Sequence, residues 1–541
     1  MPRERLALWA FLAATFAVRA VHVDQPIVEN YVGRQIPTAM VARNLERGSG
    51  FLHPQLDTGP FPNHFLVEPP IYAGVVVLVR PLIGFDREAT GRLVSALAIT
   101  LGAWGLHGLA RRREGPAVAL IAVASFAAFP VTVRYGRAFQ PDALMVGFVL
   151  AGLRGWDEFQ TRGNRRWAVF GGFVLATGLA LKVTSAWALI PFVLIVPRLT
   201  PRIRLALATA MLVPAFAWYL HAWGEVGRIG GGGSIASSDN AAIWIRALSP
   251  AAWVRFSTLT TLAQTLLVRS FTPVGFVLAA LGLFFSGPLD RLWRGWGIGC
   301  ALAVLAFAAK WHHGYYWMVV APLAAVGVAR GLVKVGGLGK SGRWLAATLG
   351  SFFLGLCVVQ SASTFRTPVE WSGLISTARA IDAALPRSES PFLIAPEALL
   401  YYADRRGFRL EFDSAAARRA AGEWGLVLPD ADRPLALVDF YARPDSRPLE
   451  FYPEPFHVAD VGRVEGDPRR QAWRDAVRAR PGTVILIDRP DALVAVLRGN
   501  EGGEPGELTG PLPLEVQSRK STPTPANPFH PSPGPLERSK P

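Results

Sequence analysis

Four carboxylates and three cations in this chain stand where the surrounding sequence is too apolar for incidental charge. Asp24 and Glu29 follow the first apolar stretch, Glu68 precedes Pro69-Pro70, and Asp142 follows Pro141 at the head of another stretch. Arg34 comes soon after Glu29, Arg137 shortly before Asp142, and Lys182 sits between two apolar runs with almost no loop around it. His313, Tyr315 and Tyr316 open a late run. A carboxylate within hydrogen-bond reach of a hydroxyl or amine can take its proton. Arginine and lysine can hold an anion through charge-assisted hydrogen bonds. Each residue also has a plainer reading. Asp24 and Glu29 could be solvated loop charges, and Glu68 and Asp142 partners of a helix N-terminus. Lys182 could snorkel to the interface, and the His-Tyr-Tyr group could belong to an aromatic belt. His53, His64, His312 and His313 lack the H-x-x-x-H spacing that places two ligands on one helix face, so no metal and no cofactor is expected.

The elements that must position these residues are membrane helices. The chain has 541 residues, 51% of them hydrophobic and only 18% charged, with a mean hydropathy of +0.28. The apolar residues come in runs of roughly 15 to 22, the length that crosses about 30 Å of hydrocarbon. Charge inside a bilayer is costly, so it gathers between the runs. The net charge of +16 is scattered over short loops, which suits cytoplasmic loops and anionic lipid better than nucleic acid. Cys300 and Cys357 lie inside apolar runs and read as small hydrophobes, with no disulfide. The first apolar stretch reads as an uncleaved span with a cytoplasmic N-terminus.

The runs fall at about 6–22, 71–84, 89–110, 115–133, 142–155, 167–181, 184–197, 204–222, 271–287, 295–309, 315–332 and 344–362. The run 71–84 is short and contains Arg80 and Pro81. If it lies along the outer surface, the clusters at Arg111-Arg112-Arg113, Arg162 to Arg166, Arg198 to Arg204, Arg291/Arg294 and Lys334 to Arg343 all fall on the cytoplasmic side. The expected fold is therefore an α-helical polytopic membrane protein of about 11 spans, N-terminus in and C-terminus out. Asp24, Glu29, Arg34, Glu68, Arg137, Asp142, Lys182 and His313 then share the outer face. The first external loop, 23–88, is long and structured, with a helical pattern over 38–47 ended by Gly48.

After about residue 362 the pattern changes. Short strands at Phe392-Leu-Ile-Ala, Leu435-Ala-Leu-Val-Asp and Thr483-Val-Ile-Leu-Ile-Asp alternate with amphipathic helices at 373–385 and 470–479. They predict a small C-terminal α/β extramembrane domain over 363–500, beyond a membrane domain over 1–362. Residues 501–541 are rich in Pro, Gly and Ser and read as a disordered tail. The glycine run 230–233 has neither a strand before it nor a helix cap after it, so it is not read as a phosphate loop.

The order of these pieces resembles the glycosyltransferase C superfamily, and within it the protein mannosyltransferase and aminoarabinose transferase branch. The resemblance rests on Glu68-Pro69-Pro70-Ile71-Tyr72, Gly91-Arg92-Leu93, Arg137 with Pro141-Asp142, Leu181-Lys182, and His313-Gly314-Tyr315-Tyr316. Glu29…Arg34-Gln35…Thr38-Ala39…Ala42-Arg43-Asn44 and Leu400-Tyr401-Tyr402-Ala403-Asp404-Arg405-Arg406-Gly407 extend it. The resemblance implies transfer of a sugar from a polyprenyl-phosphate donor to a lipid, protein or glycan acceptor outside a bacterial cytoplasmic (inner) membrane. It departs from the family at one place: the branch carries an Asp-Glu pair before the A-R helix, and this chain has Arg34-Gln35 there.

Such a transfer needs a base for the acceptor proton and cations on the departing phosphate. Glu29 is the first choice for the base, followed by Asp24, with Asp142 as an acceptor-orienting alternative. Arg34, Lys182 and Arg137 are the choices for the phosphate. Glu68, His313, Tyr315 and Tyr316 complete the expected substrate contacts. A lipid or polysaccharide transporter would instead show internal repeats and ionisable residues near mid-span, and neither is evident. A non-catalytic envelope assembly protein would leave the loop acids dispensable.

Overall fold

Prolines and glycines set the limits of the helices that build the site. The computed structural model describes residues 2–28, 32–58, 62–228, 256–306, 313–367, 371–384, 392–394, 398–409, 435–440, 468–479, 483–490 and 492–497. Glu29, His312, the glycine run 230–233 and the tail 501–541 lie outside the described residues. The helices in chain order are α1 (Pro2–Ala20), α2 (Val32–Glu46), α3 (Ile71–Ile83), α4 (Arg87–Glu114), α5 (Pro116–Ala128), α6 (Pro130–Tyr135), α7 (Asp142–Arg162), α8 (Arg165–Leu181) and α9 (Leu189–Ile195). They continue with α10 (Pro201–Arg228), α11 (Phe256–Gln264), α12 (Pro273–Phe285), α13 (Arg291–Ala306), α14 (Ala321–Gly336), α15 (Lys340–Ser361), α16 (Ser372–Ala384), α17 (Ala398–Tyr402) and α18 (Pro468–Ala479).

The helix α2 starts at Val32, earlier than the 38–47 pattern indicates. Pro37 lies inside it and withholds only the bond its N–H would give to the Gly33 carbonyl. The helix ends before Gly48, whose φ of 89° suits a residue without Cβ. The helix α3 has 13 residues, about 20 Å at 1.5 Å per residue, which is short of a bilayer crossing. It buries Tyr72, Ala73 and Val76 and leaves Leu78 and Leu82 exposed. Gly84 caps it in the left-handed conformation, donating its N–H to the Arg80 carbonyl.

Three helical segments among the described residues are long and apolar enough to cross a membrane: Arg87–Glu114, Pro201–Arg228 and Lys340–Phe365. The pair Leu259–Ser270 and Pro273–Phe285, bent by 98°, would make a fourth. This count is lower than the eleven spans read from hydropathy because helices such as α8 and α14 have only 17 and 16 residues and two further runs are broken. The run 115–133 breaks between α5 and α6, where Pro130 opens a new helix. The run 184–197 divides into a 3-10 segment, Val183–Ala188, followed by α9.

Small residues bring the helix backbones close. A Cβ on Gly147 of α7 would lie 2.2 Å from the Ala98 carbonyl oxygen of α4, and one on Gly282 of α12 would lie 1.8 Å from that of Gly327 in α14. With no hydrophobic drive between helices in lipid, such close approach is a main source of packing energy.

The two ends of the bundle differ in charge. At one end Glu4 pairs with Arg111. There Arg112 pairs with Asp157 and Glu158, and Arg113 bridges Asp157 (2.6 Å) and Asp290 (2.8 Å). Arg330 also meets Glu114 at 2.8 Å. These contacts gather the start of α1, the ends of α4 and α7, and the basic loops that the charge bias groups together. Asp142 and Lys182 lie at the opposite ends of α7 and α8.

In the C-terminal part five strands form one sheet: β1 (Phe392–Ile394), β2 (Phe408–Arg409), β3 (Leu435–Phe440), β4 (Thr483–Arg489) and β5 (Ala492–Leu497). The order is β2-β1-β3-β5-β4. β1 runs parallel to β2 and β3, and β5 is antiparallel to β3 and β4. The short strand β2 and the whole of β5 have no counterpart among the three strands that the sequence pattern predicts.

Candidate active site

The site is built from the opening turns or closing residues of several elements. Pro69-Pro70 enter α3, so Glu68 stands at the end of the loop that leads into that helix. Arg34 projects from the first turns of α2 and meets the Glu68 carboxylate at 2.7 Å. Its guanidinium also lies over the Phe65 ring, 5.2 Å from the centroid. Burial alone would lower the Arg34 pKa, but the charge of Glu68, followed by smaller effects of Tyr315 and Asp142, holds it above its ordinary value. Asp142 begins α7 and Lys182 follows the last residue of α8. Their side chains are 2% and 7% exposed, and Lys182 Nζ donates to Asp142 Oδ1 at 2.7 Å. Nζ also stands 4.6 Å from the Tyr315 ring centroid and 5.8 Å from that of Tyr316. The second carboxylate oxygen, Asp142 Oδ2, is buried and has no hydrogen-bond partner.

The structure thus brings Arg34, Glu68, Asp142, Lys182, Tyr315 and Tyr316 into one neighbourhood, with His313 stacked on Tyr315 at a centroid distance of 5.3 Å. Buried ion pairs of this kind are costly to assemble and strongly destabilising to break singly. A cleft lined by Thr38, Val41, Phe65, Glu68, Pro69, Pro70, Tyr72, Ala73 and Pro141 opens beside them.

Asp24 is on the turn after α1. Arg137 is fully buried. Its guanidinium donates to the carbonyls of Val21 (2.8 Å), His22 (2.7 Å) and Thr364 (3.0 Å), and to Gln25 Oε1 (3.1 Å). These acceptors converge on its planar fork from the end of α1, the turn that follows it and the chain after α15, so the structure shows Arg137 bound to the protein itself.

Other residues shape the site beyond those that the sequence offers for its chemistry. Gln35 Oε1 accepts from the Phe139 backbone N–H at 2.8 Å, fixing the turn before Asp142. Arg92 of the Gly91-Arg92-Leu93 motif is fully buried and donates to the Gln25 (2.8 Å) and Pro26 (3.2 Å) carbonyls. Gly91 leaves room for Phe139, whose ring would lie 2.3 Å from a Cβ there. From α10, Tyr219 donates to the Val67 carbonyl (3.2 Å) and Trp218 to that of Leu66 (3.3 Å), bracing the segment that ends at Glu68. The local signal for these residues is weak, because their partners are remote in sequence. His53 and His64 come together with His221 and Glu225: His53 lies 5.3 Å from His64 and 5.7 Å from His221 between ring centroids, and His64 Nδ1 is 3.2 Å from Glu225 Oε1. Among the described residues no group of three or more such side chains is arranged to hold a metal ion.

Residues 67–221 match the family described as dolichyl-phosphate-mannose-protein mannosyltransferase. No curated protein matches the sequence. The structure is similar to that of ArnT from Cupriavidus metallidurans bound to undecaprenyl phosphate, with a TM-score of 0.57 and 15% identity, covering 92% of this chain and 98% of that one. It is also similar to the Archaeoglobus fulgidus oligosaccharyltransferase in complex with Zn and sulfate (TM-score 0.51, 11% identity, 80% of this chain and 68% of that one). A third likeness is to the arabinofuranosyltransferase AftD from Mycobacteria (TM-score 0.50, 14% identity, 92% and 40%). The helical architecture and these likenesses give the chain the fold seen in ArnT, and residues 67–221 carry the match to the mannosyltransferase family.

Proposed function

We propose that this chain is a membrane glycosyltransferase that moves a sugar from a polyprenyl-phosphate donor to an acceptor at the external face of the membrane. The observation that carries the proposal is the buried Lys182–Asp142 pair beside Arg34–Glu68, at the end of the bundle opposite the basic clusters. The likeness to ArnT with its bound undecaprenyl phosphate supports a lipid-phosphate donor. On this reading the membrane domain has about eleven spans, counting broken and tilted segments, and residues 363–500 form an external α/β domain over a bacterial cytoplasmic membrane.

The reaction is a single displacement with inversion at the anomeric carbon. The acceptor oxygen or nitrogen forms a bond to that carbon as the bond to the phosphate oxygen breaks, and the electron pair leaves with the lipid phosphate. Lys182 and Arg34 meet the charge that develops there. To reach them the phosphate displaces Asp142 and Glu68 from their cations. The acceptor proton goes to a carboxylate: Asp142, whose Oδ2 is unpartnered, or Glu29, the first choice from the sequence. Membrane lipids, which solvate the donor tail, are the remaining partner.

The test is transfer in reconstituted vesicles from labelled polyprenyl-phosphate sugars to lipid, protein and glycan acceptors. Wild-type protein transfers label, and either Asp142→Asn or Glu29→Gln loses at least about a hundredfold, the usual reach of a general base. Label that crosses the vesicle membrane without being transferred identifies a transporter instead. Full transfer by both variants removes the carboxylate mechanism.

A further inference from the structure

The segment Leu400 to Gly407 lies far downstream of the site's charged groups in the sequence. It is nevertheless built into the elements that hold them. The Tyr401 carbonyl accepts from Arg43 Nη1 at 2.6 Å, and the Tyr401 ring centroid lies 4.8 Å from the same guanidinium. Asp404 takes Arg43 at 2.8 Å and Arg47 at 2.5 Å. Arg43 is buried and is also held by Asp57 at 2.5 Å. The Gly407 N–H in turn donates to the Asp57 carbonyl at 2.9 Å. Arg43, Arg47 and Arg34 lie on α2 or on the residue that directly follows it, so these contacts grip the C-terminal half of the helix that carries Arg34 at its other end.

A second contact secures the chain just before α2. The Tyr402 hydroxyl donates to Glu88 Oε2 at 3.0 Å and accepts from the Ile27 N–H at 2.7 Å. Ile27 and Val28 are completely buried. The Arg92 donations to the Gln25 and Pro26 carbonyls complete the fixation of this turn. Buried polar groups with several partners define one arrangement sharply, because losing one leaves the others unsatisfied.

From these contacts we infer that Tyr402 and Asp404 are positioning residues for the anion site: they set the place of α2, and thereby aim Arg34 at the donor phosphate. This rests on the reading of Arg34 as a phosphate ligand. It gives the Leu400-Tyr401-Tyr402-Ala403-Asp404 motif a task in donor binding that acts through a helix and not by contact.

The experiment uses the full chain in lipid nanodiscs with undecaprenyl phosphate as the probe, for wild type, Tyr402→Phe, Asp404→Asn, Arg34→Gln and the doubles with Arg34→Gln. Tyr402→Phe and Asp404→Asn each weaken binding about tenfold. Amide exchange rises over 25–28 and 34–47 and is unchanged in α7. Because the effect passes through Arg34, each double binds no more weakly than Arg34→Gln alone, the non-additivity expected of coupled residues. A loss of global stability would lower binding in every background and add to the Arg34→Gln loss, and that outcome overturns the inference. So does unchanged binding in both Tyr402→Phe and Asp404→Asn when Arg34→Gln is weak. If Arg34→Gln itself binds as tightly as wild type, the phosphate reading of Arg34 falls first and the inference falls with it.

Discussion

Replacing Lys182 by Met tests whether the buried pair is a binding device or only a packing solution. Lys182 Nζ is 2.7 Å from Asp142 Oδ1, with side chains 7% and 2% exposed. Removing one partner of such a pair leaves a buried charge and costs about 3–5 kcal/mol, a large part of the roughly 5–15 kcal/mol that holds a typical domain folded. The lost contact with the Tyr315 face adds about 0.5–2 kcal/mol. Lys182→Met is therefore expected to lower the midpoint of thermal unfolding clearly. Replacing both partners, Lys182→Met with Asp142→Leu, removes the unpaired charge and recovers most of the stability, since a hydrophobic pair of similar volume is often neutral.

Lipid-phosphate binding should not recover. A hydrogen bond to a charged group contributes about 1.5–3 kcal/mol, which is roughly ten- to a hundredfold in affinity. The assay pairs thermal unfolding in detergent micelles with titration by undecaprenyl phosphate. A double variant that regains both stability and phosphate binding would falsify the role of Lys182 as a phosphate ligand. Undiminished stability in the single variant would show that Asp142 is not held charged beside it.

Glu68→Gln frees Arg34 from its 2.7 Å partner, so undecaprenyl phosphate should bind about two- to fivefold more tightly, within the range of a partly exposed ion pair; weaker binding would make Glu68 itself a ligand contact. Arg137→Met strips buried carbonyls of their donor and is expected to cost about 3 kcal/mol or more, while the folded fraction keeps the wild-type phosphate affinity to within about twofold, well under a single charged contact. Glu46 accepts from Arg87 at 2.5 Å and Arg80 at 2.9 Å; burial opposes ionisation, but the two arginines outweigh it and hold the carboxyl below its ordinary 4.5. A folded-state pKa lower than the unfolded one stabilises above the unfolded value and is lost as pH falls through the folded one. Wild type should therefore unfold at a higher temperature than Glu46→Gln at neutral pH, and the gap should close well below pH 4.5. A gap that widens in acid would mean that Glu46 is not paired as described.

What the sequence alone determined are properties that accumulate locally. Hydropathy over a run of residues marks membrane helices, because each residue contributes its own transfer free energy whatever it later touches. Pro69-Pro70 and Gly84 mark the ends of α3 because ring closure and the missing Cβ restrict or free the backbone at that position. The polar residues set among apolar runs stand out for the same reason, and so Arg34, Glu68, Asp142 and Lys182 are visible as outliers. Their partnerships are not. Lys182 finds Asp142 because α7 and α8 pack side by side, with a Cβ on Gly152 only 2.8 Å from Leu175. Arg34 finds Glu68 because the loop between α2 and α3 folds back on α2. Arg137 has the same outlier signature as Lys182, yet four backbone and side-chain acceptors claim it. The grip of Tyr402 and Asp404 on α2 and the turn before it spans most of the chain. Which charge meets which is decided by the geometry of helix packing and loop closure, and neither has a period or a composition that a run of residues can display.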